Sequence, residues 1–183
     1  MAASQASSAR AVSEAQEDTA KANLHAQQAD SDKAEMRARL SAQLNLILQT
    51  RDSARGLIVN MSDVLFDTGK YSLKAAAREK LAKVAGILLA YPGINVQVAG
   101  FTDNVGSEDM NQALSEHRAG SVRDYLVESG VNSNSVTARG YGNAEPVATN
   151  ENSTGRQQNR RVELVVSGDI IGTPVKETTG SLR

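Results

Sequence analysis

Within the stretch GFTDNVGSEDMNQALSEHRA, residues 100–119, three side chains have the types and spacing to recognise a charged ligand. Asp103 follows a Gly-Phe-Thr run, while Asn111 and Arg118 stand seven residues apart in a helical pattern. Seven residues is close to two helical turns, so the pair shares one helix face with a drift of only ~20°. A carboxylate, a guanidinium and an amide converging on one groove suit a zwitterionic partner. Asp103 would take an ammonium, and Arg118 would grip a carboxylate through two parallel hydrogen bonds. From spacing alone, the simpler reading is that Asp103 and Arg118 pair with each other. Either way both are expected at a solvent-accessible rim, where replacing them should leave folding nearly unaffected.

Such a groove needs a strand end and a helix to frame it. INVQVAGF predicts a strand with Ile94, Val96 and Val98 on one face, which places Asp103 at the carboxyl edge of a sheet, where α/β folds favour ligand clefts. Ser107 can cap the following helix, which runs to about Ser129 and ends at Gly130, with Leu114, Val122, Tyr125 and Leu126 as its core face. Upstream, GLIVNMSDVLF reads as a bent strand. SLKAAAREKLAKVAGILLAYPG reads as a helix capped by Ser72, with Ala77, Leu81, Val84 and Leu88 as its stripe and Tyr91-Pro92-Gly93 as its stop. SVTARGYG is a short strand and turn, RRVELVVS a last strand, and GDIIGTPVKETTGSLR a loosely held tail. The order βαβαββ predicts an α/β fold of the α+β two-layer kind, a mixed sheet with helices on one face.

The chain changes character near Gly56. Between Gln5 and Arg55 there is neither Gly nor Pro, and good helix formers dominate. Small or apolar residues recur in sevens, with Ala15, Ala22, Ala29 and Met36 in one column and Val12, Ala26, Leu40, Ile47 and Ala54 in another. The pattern predicts a long N-terminal helix, ordered over at least Ala22 to Arg51, that seeks a partner helix by close alanine packing. Two outcomes bury its stripe: association with another copy as a coiled coil, or folding back on the α/β unit. The expected organisation is a helical segment over 1–55, an α/β domain over 56–168 and a flexible tail over 169–183.

Composition narrows the field further. Among 183 residues there are 20 basic and 21 acidic ones, for a net charge of −1, so nothing suggests non-specific nucleic-acid binding. Aromatics at 3% are too few for base-stacking platforms. No cysteine is present, which removes disulfides, thiol catalysis and cysteine metal sites. With only His25 and His117, a histidine metal site is not expected, and no cofactor is implied. No run reaches the ~18 apolar residues a membrane span requires, and the start Met1-Ala2-Ala3-Ser4 carries no signal-peptide pattern.

Four ordered motifs then add a family likeness. VLFDTGKYSL, VAGFTDNVGSEDMNQALSEHRAGSVRDYL, TARGYGNAEPVATN and GRQQNRRVELVV resemble the OmpA-like C-terminal domain, the peptidoglycan-binding module shared with Pal lipoproteins and MotB-type proteins, over roughly Leu57 to Ser167. The resemblance implies that Asp103, of the Thr102-Asp103 pair, and Arg118 bind the two charged ends of diaminopimelate in the peptidoglycan stem peptide. It places supporting contacts on Asn111 and on Arg160, with Asn159 adjacent, and sets Asp67 at the cleft rim. It also implies residence in the periplasm or at the outer membrane of a Gram-negative bacterium. Where the family commonly has His before Thr-Asp, this chain has Phe101, which removes a polar contact and leaves the charged pair intact.

Other constellations carry less. DNVGSED lacks the alternating oxygen ligands of a calcium loop, and GYGN is too short to cradle phosphate. Ser115 and His117 lack the geometry of a nucleophile and base, and Glu108 with Asp109 fit a helix's first turn. Arg160 and Arg161 should alternate across a strand, so only one faces the groove. No catalytic set survives, and the reading is a binding protein rather than an enzyme. Two functions stay open: a non-covalent wall anchor for an envelope component, and an assembly scaffold that associates through its N-terminal helix. A stator-like channel subunit is weakened by the missing membrane span.

Overall fold

The computed structural model describes residues 2–62, 66–67 and 69–173. Helix α1 (Ala2–Asn45) leads into strands β1 (Thr50–Ser53) and β2 (Gly56–Ser62), then helix α2 (Ala75–Leu89), strand β3 (Asn95–Phe101) and helix α3 (Glu108–Glu128). Strand β4 (Val136–Gly140), the short helix α4 (Ser153–Asn159) and strand β5 (Arg161–Ser167) complete it, followed by a 3-10 turn at Asp169–Ile171. The five strands form one mixed sheet in the order β1-β2-β5-β3-β4. Among the described strands the only parallel pair is β3 with β4, because α3 carries the chain back across the sheet between them.

Alternation along each strand sorts the two faces. Leu57, Val59 and Met61 of β2, Val96 and Val98 of β3, and Val162, Leu164 and Val166 of β5 meet the helices in one apolar core. Into it α2 sends Ala77, Leu81, Val84 and Leu88, α3 sends Val122 and Leu126, and α1 sends Leu40 and Leu44. Of the expected α3 face, Leu114 and Tyr125 are only partly buried. The expected mixed sheet with helices on one face, preceded by a long helix, is what the chain forms.

Four local expectations need correction. The first helix stops at Asn45 rather than Arg51, because Asn45 Oδ1 accepts from the Thr50 backbone amide and Thr50–Ser53 turns back as an edge strand on β2. Polar residues can serve there, since an edge strand need bury little. Second, Ser72 does not cap α2. Leu73 is held extended by a bridge to Phe66, so the helix begins only at Ala75, with Lys74 at the cap position and no side-chain cap. Third, α4 was not anticipated, although Asn152 caps it by accepting from the Gly155 amide at 2.7 Å. Fourth, the start of the tail is built in: Gly168 bridges to Thr173 and Ile171 is fully buried. The end of the bent strand (Asp63, Val64, Leu65) and the tail beyond Thr173 lie outside the described residues.

The end of α1, from Arg37 to Asn45, is part of the α/β unit. Leu40 and Leu44 have no exposed surface, and the Tyr91 hydroxyl donates to Gln43 Oε1 at 2.8 Å. Arg37 donates through Nε to Asp52 Oδ2 at 3.0 Å and through Nη2 to the Ser53 carbonyl at 2.7 Å. From residue 10 to Met36, by contrast, every residue is exposed, Val12, Leu24 and Met36 among them. The contacts also set the direction of α1. Arg37 meets Ser53 and Ile171, at the sheet end where Ser53 pairs with Gly56 and Asn95 with Ser167. The free part of α1 therefore projects from the end opposite Phe101 and Arg161.

Candidate functional site

Helix α3 approaches the sheet closely, and two glycines permit it. A methyl group at Gly100 would stand 2.2 Å from the Ser115 carbonyl oxygen, and one at Gly140 would stand 2.4 Å from Ser115 Oγ. Any side chain at either position would lift the helix. Ser115 fastens the contact, its hydroxyl accepting from the Gly142 amide at 2.9 Å and donating to the Gln112 carbonyl at 2.8 Å. Ser107 caps the helix by accepting from the Met110 amide, and Glu108 and Asp109 occupy the first turn, where the dipole favours them. The buried face so positioned carries Asn111, Ser115 and Arg118 in line.

Asp103 lies just beyond β3 and is 7% exposed. Its Oδ1 accepts from the Val105 amide at 3.0 Å, and its Oδ2 accepts from Arg160 Nη1 at 2.7 Å. Thr102 holds the strand end, its amide donating to the Gly142 carbonyl at 2.8 Å and its hydroxyl to the Asp103 carbonyl at 2.9 Å. Arg118 is 2% exposed; its Nε donates to the Lys70 carbonyl at 3.0 Å and its guanidinium carbon lies 5.1 Å from the Phe66 ring centroid. These two anchors fix the guanidinium plane. Asn111 contributes a buried amide whose Nδ2 has no hydrogen-bond partner among the described residues. A donor left so in a dry position costs about 1–3 kcal/mol until something accepts from it.

The expectation of a freely accessible rim does not hold, since Asp103 and Arg118 are both buried. The remaining predicted residues divide. Arg160 joins Asp103, and Arg161 turns to the other face, as alternation requires. There Arg161 pairs with Glu163 at 2.9 Å, with its guanidinium 3.9 Å from the Phe101 ring centroid. Phe101 thus packs on that face, stacked on Tyr141, away from the Asp103 carboxylate. Asp67 is half exposed on the loop before α2, 3.9 Å from Lys74 Nζ. Asn159 is spent on structure: its Oδ1 accepts from the Val147 and Ala148 amides, and its Nδ2 donates to the Ala148 carbonyl and to Asn150 Oδ1. It pins the loop before α4.

Sequence reasoning missed Phe66, the Lys70 carbonyl and Ser115 as the frame of the site. The only advance signal was a glycine at the end of each of two strands facing one helix. Among the described residues no group of carboxylates and imidazoles gathers as a metal ion would require.

Residues 65–160, just over half of the chain, match the model of the OmpA family. The chain belongs to the OmpA family. It is 40% identical over 116 residues to the probable lipoprotein YiaD of Escherichia coli K12, which covers 63% of this chain and 53% of that protein. It is 43% identical over 104 residues to the peptidoglycan-binding protein ArfA of Mycobacterium tuberculosis, 57% of this chain and 32% of that one. Its fold matches the cell wall anchor of the T6SS from Pseudomonas aeruginosa with a TM-score of 0.62 at 31% identity, over 72% of this chain and 96% of the other. The chain spans about half, or less, of the length of these two curated relatives. The OmpA-family match takes in Asp67, Asp103, Asn111, Arg118 and Arg160 alike.

Proposed function

We propose that this OmpA-family chain binds peptidoglycan non-covalently through the diaminopimelate of its stem peptide, and so anchors an envelope component to the cell wall in the periplasm or at the outer membrane of a Gram-negative bacterium. The observation that supports the reading is a carboxylate and a guanidinium each aimed by backbone, Asp103 by the Val105 amide and Arg118 by the Lys70 carbonyl, with Asn111 on the same helix face as Arg118. An ammonium would join Arg160 on the Asp103 carboxylate, whose two oxygens offer about four lone-pair sites. A ligand carboxylate would add to the partners of Arg118. Two relatives support the wall as the target: ArfA is named for peptidoglycan binding, and the Pseudomonas protein is described as a cell wall anchor.

Calorimetry with paired stem peptides tests this. A site made for an ammonium and a carboxylate on one side chain should prefer diaminopimelate over lysine, which lacks the second carboxylate. Losing the ligand's second carboxylate removes its charged hydrogen bonds to Arg118, about 1–3 kcal/mol, or roughly 5- to 150-fold in affinity. Equal affinity for both peptides would overturn diaminopimelate recognition, and loss of retention on purified sacculi would overturn wall binding itself.

A second reading, assembly of copies through α1, is favoured by Val12 and Leu24, apolar side chains more than half exposed on that helix. Sedimentation across a concentration series decides it: a monomer at every concentration removes it.

A further inference from the structure

On the sheet face turned away from the helices, Phe101 stands directly opposite Arg161 in the ladder between β3 and β5. The Arg161 guanidinium carbon lies 3.9 Å from the Phe101 ring centroid. Because β3 runs between β5 and β4, the Tyr141 ring, just past β4, meets Phe101 from the other side, stacked at 5.3 Å with an interplanar angle of 13°. Phe101 and Arg161 are 3% and 4% exposed, and neither has a place among the contacts assigned to the ligand. The stack does hold the two backbones that carry the site, since Asp103 lies two residues beyond Phe101 and Arg160 one residue before Arg161.

Three hydrogen bonds fix the Arg161 guanidinium. Its Nε donates to Glu163 Oε1 at 2.9 Å, its Nη1 to the Asn159 carbonyl at 3.3 Å and its Nη2 to the Glu145 carbonyl at 3.2 Å. Glu145 and Asn159 bracket the segment that delivers Arg160, so one side chain ties both ends of that segment to the end of β3. A flat ring suits this duty, because it meets the guanidinium by its face and leaves the N–H donors at the edge free for bonding. We propose that Phe101 and Arg161 are positioning residues, which set the spacing of Asp103 and Arg160 and thereby where a ligand ammonium is held. This deepens the wall-binding reading and rests on it. The spacing is sensitive, since a charge-assisted bond such as that of Arg160 to Asp103, 2.7 Å long, weakens steeply once it stretches or tilts. The ring at position 101 acts on recognition through its neighbours rather than by touching the ligand.

A double-mutant cycle read by calorimetry, with the diaminopimelate stem tripeptide as probe, separates positioning from general support of the fold. Phe101→Leu keeps an apolar side chain and removes the ring, and should weaken binding by about 5-fold, the range of one cation–ring contact. Arg160→Ala leaves Asp103 to take the ammonium alone, so binding stays measurable. In that background no Asp103–Arg160 spacing is left to set, and adding Phe101→Leu should change affinity by less than about 2-fold. Arg161→Lys, which keeps the charge and loses the planar fork, should behave the same way in its own cycle, and serves where Phe101→Leu does not fold. An equal loss with and without Arg160, or no loss at all, would overturn positioning and leave the stack as plain support. Failure of the native chain to bind the tripeptide would overturn the groove reading, and the positioning with it.

Discussion

Asp103 and Arg160, 57 residues apart in the chain, meet at 2.7 Å across the groove, with Asp103 also accepting from the Val105 amide. The carboxylate is thereby aimed before any ligand arrives, at the expense of sharing it with a resident guanidinium. Such pre-organisation lowers what ordering the site costs on binding.

Replacing Asp103 should therefore affect binding and folding together. Asp103→Ala removes the acceptor for a ligand ammonium and leaves the Arg160 guanidinium, 32% exposed, without this carboxylate. Exposed pairs contribute ~0–1 kcal/mol and breaking buried ones costs ~3–5, so about 2 kcal/mol of stability is expected to go. Calorimetry should show binding of diaminopimelate peptides lost, and urea denaturation should show the destabilisation. Undiminished binding would remove Asp103 from the site.

Arg118→Lys tests geometry at constant charge. The ammonium has no Nε to hold the Lys70 carbonyl and no plane to lay over Phe66, so it arrives as an unoriented point charge. Peptide affinity should fall tenfold or more, by the loss of roughly one charged hydrogen bond. Affinity within twofold of the native value would mean that Arg118 acts by charge alone.

Asn159→Ala should be the most destabilising of the polar replacements, although no ligand contact is assigned to it. Four hydrogen bonds to the 147–150 segment disappear, and two backbone amides and a carbonyl lose their partner. A cost of about 2–4 kcal/mol is expected from groups left partly buried without partners. Hydrogen exchange should show the loosening at Val147 and Ala148 first.

How much of this was legible in the sequence depended on how local the cause was. The α3 cap at Ser107 and the buried Val122 and Leu126 follow from spacing within one helix, and so could be read. Arg161 turning to the face opposite Val162 follows from strand alternation, while Arg160 is the cap residue of α4 just before the strand. The strand Thr50–Ser53 carries no apolar signal, since its role is to pair with β2 at the sheet edge. Helix α4 is two turns long and shows only its Asn152 cap. The Asn159 bonds and the Arg118 anchor on Lys70 join segments far apart in the chain, and no local pattern encodes them.

The last prediction concerns the hold of the α/β unit on α1. The helix has 44 residues, a length of roughly 65 Å, and from residue 10 on it is packed only beyond Met36. Arg37 is the polar clasp of that packed end, joining Asp52, the Ser53 carbonyl and the Ile171 carbonyl. Hydrogen bonding from Arg37, opposed by burial and helped by its charge and by the Ser53 amide, lowers the Asp52 pKa. A carboxylate with a lowered pKa contributes its stability above the ordinary carboxylate range and loses it as pH falls through the folded value. The chain has no native cysteine, so spin labels at Gln16→Cys and Glu151→Cys report only the designed pair. At neutral pH, in label-diluted samples, their distance distribution should be narrow, as for a rod fixed to the domain at the end away from the groove. Arg37→Ala should broaden it, and strong acidification should broaden that of the native chain in the same direction. Leu40 and Leu44 still pack in Arg37→Ala, so the helix should stay docked while its angle loosens. A distribution equally narrow in Arg37→Ala would show that apolar packing alone sets the direction of α1, and one already broad in the native chain would show a flexible tether rather than a strut.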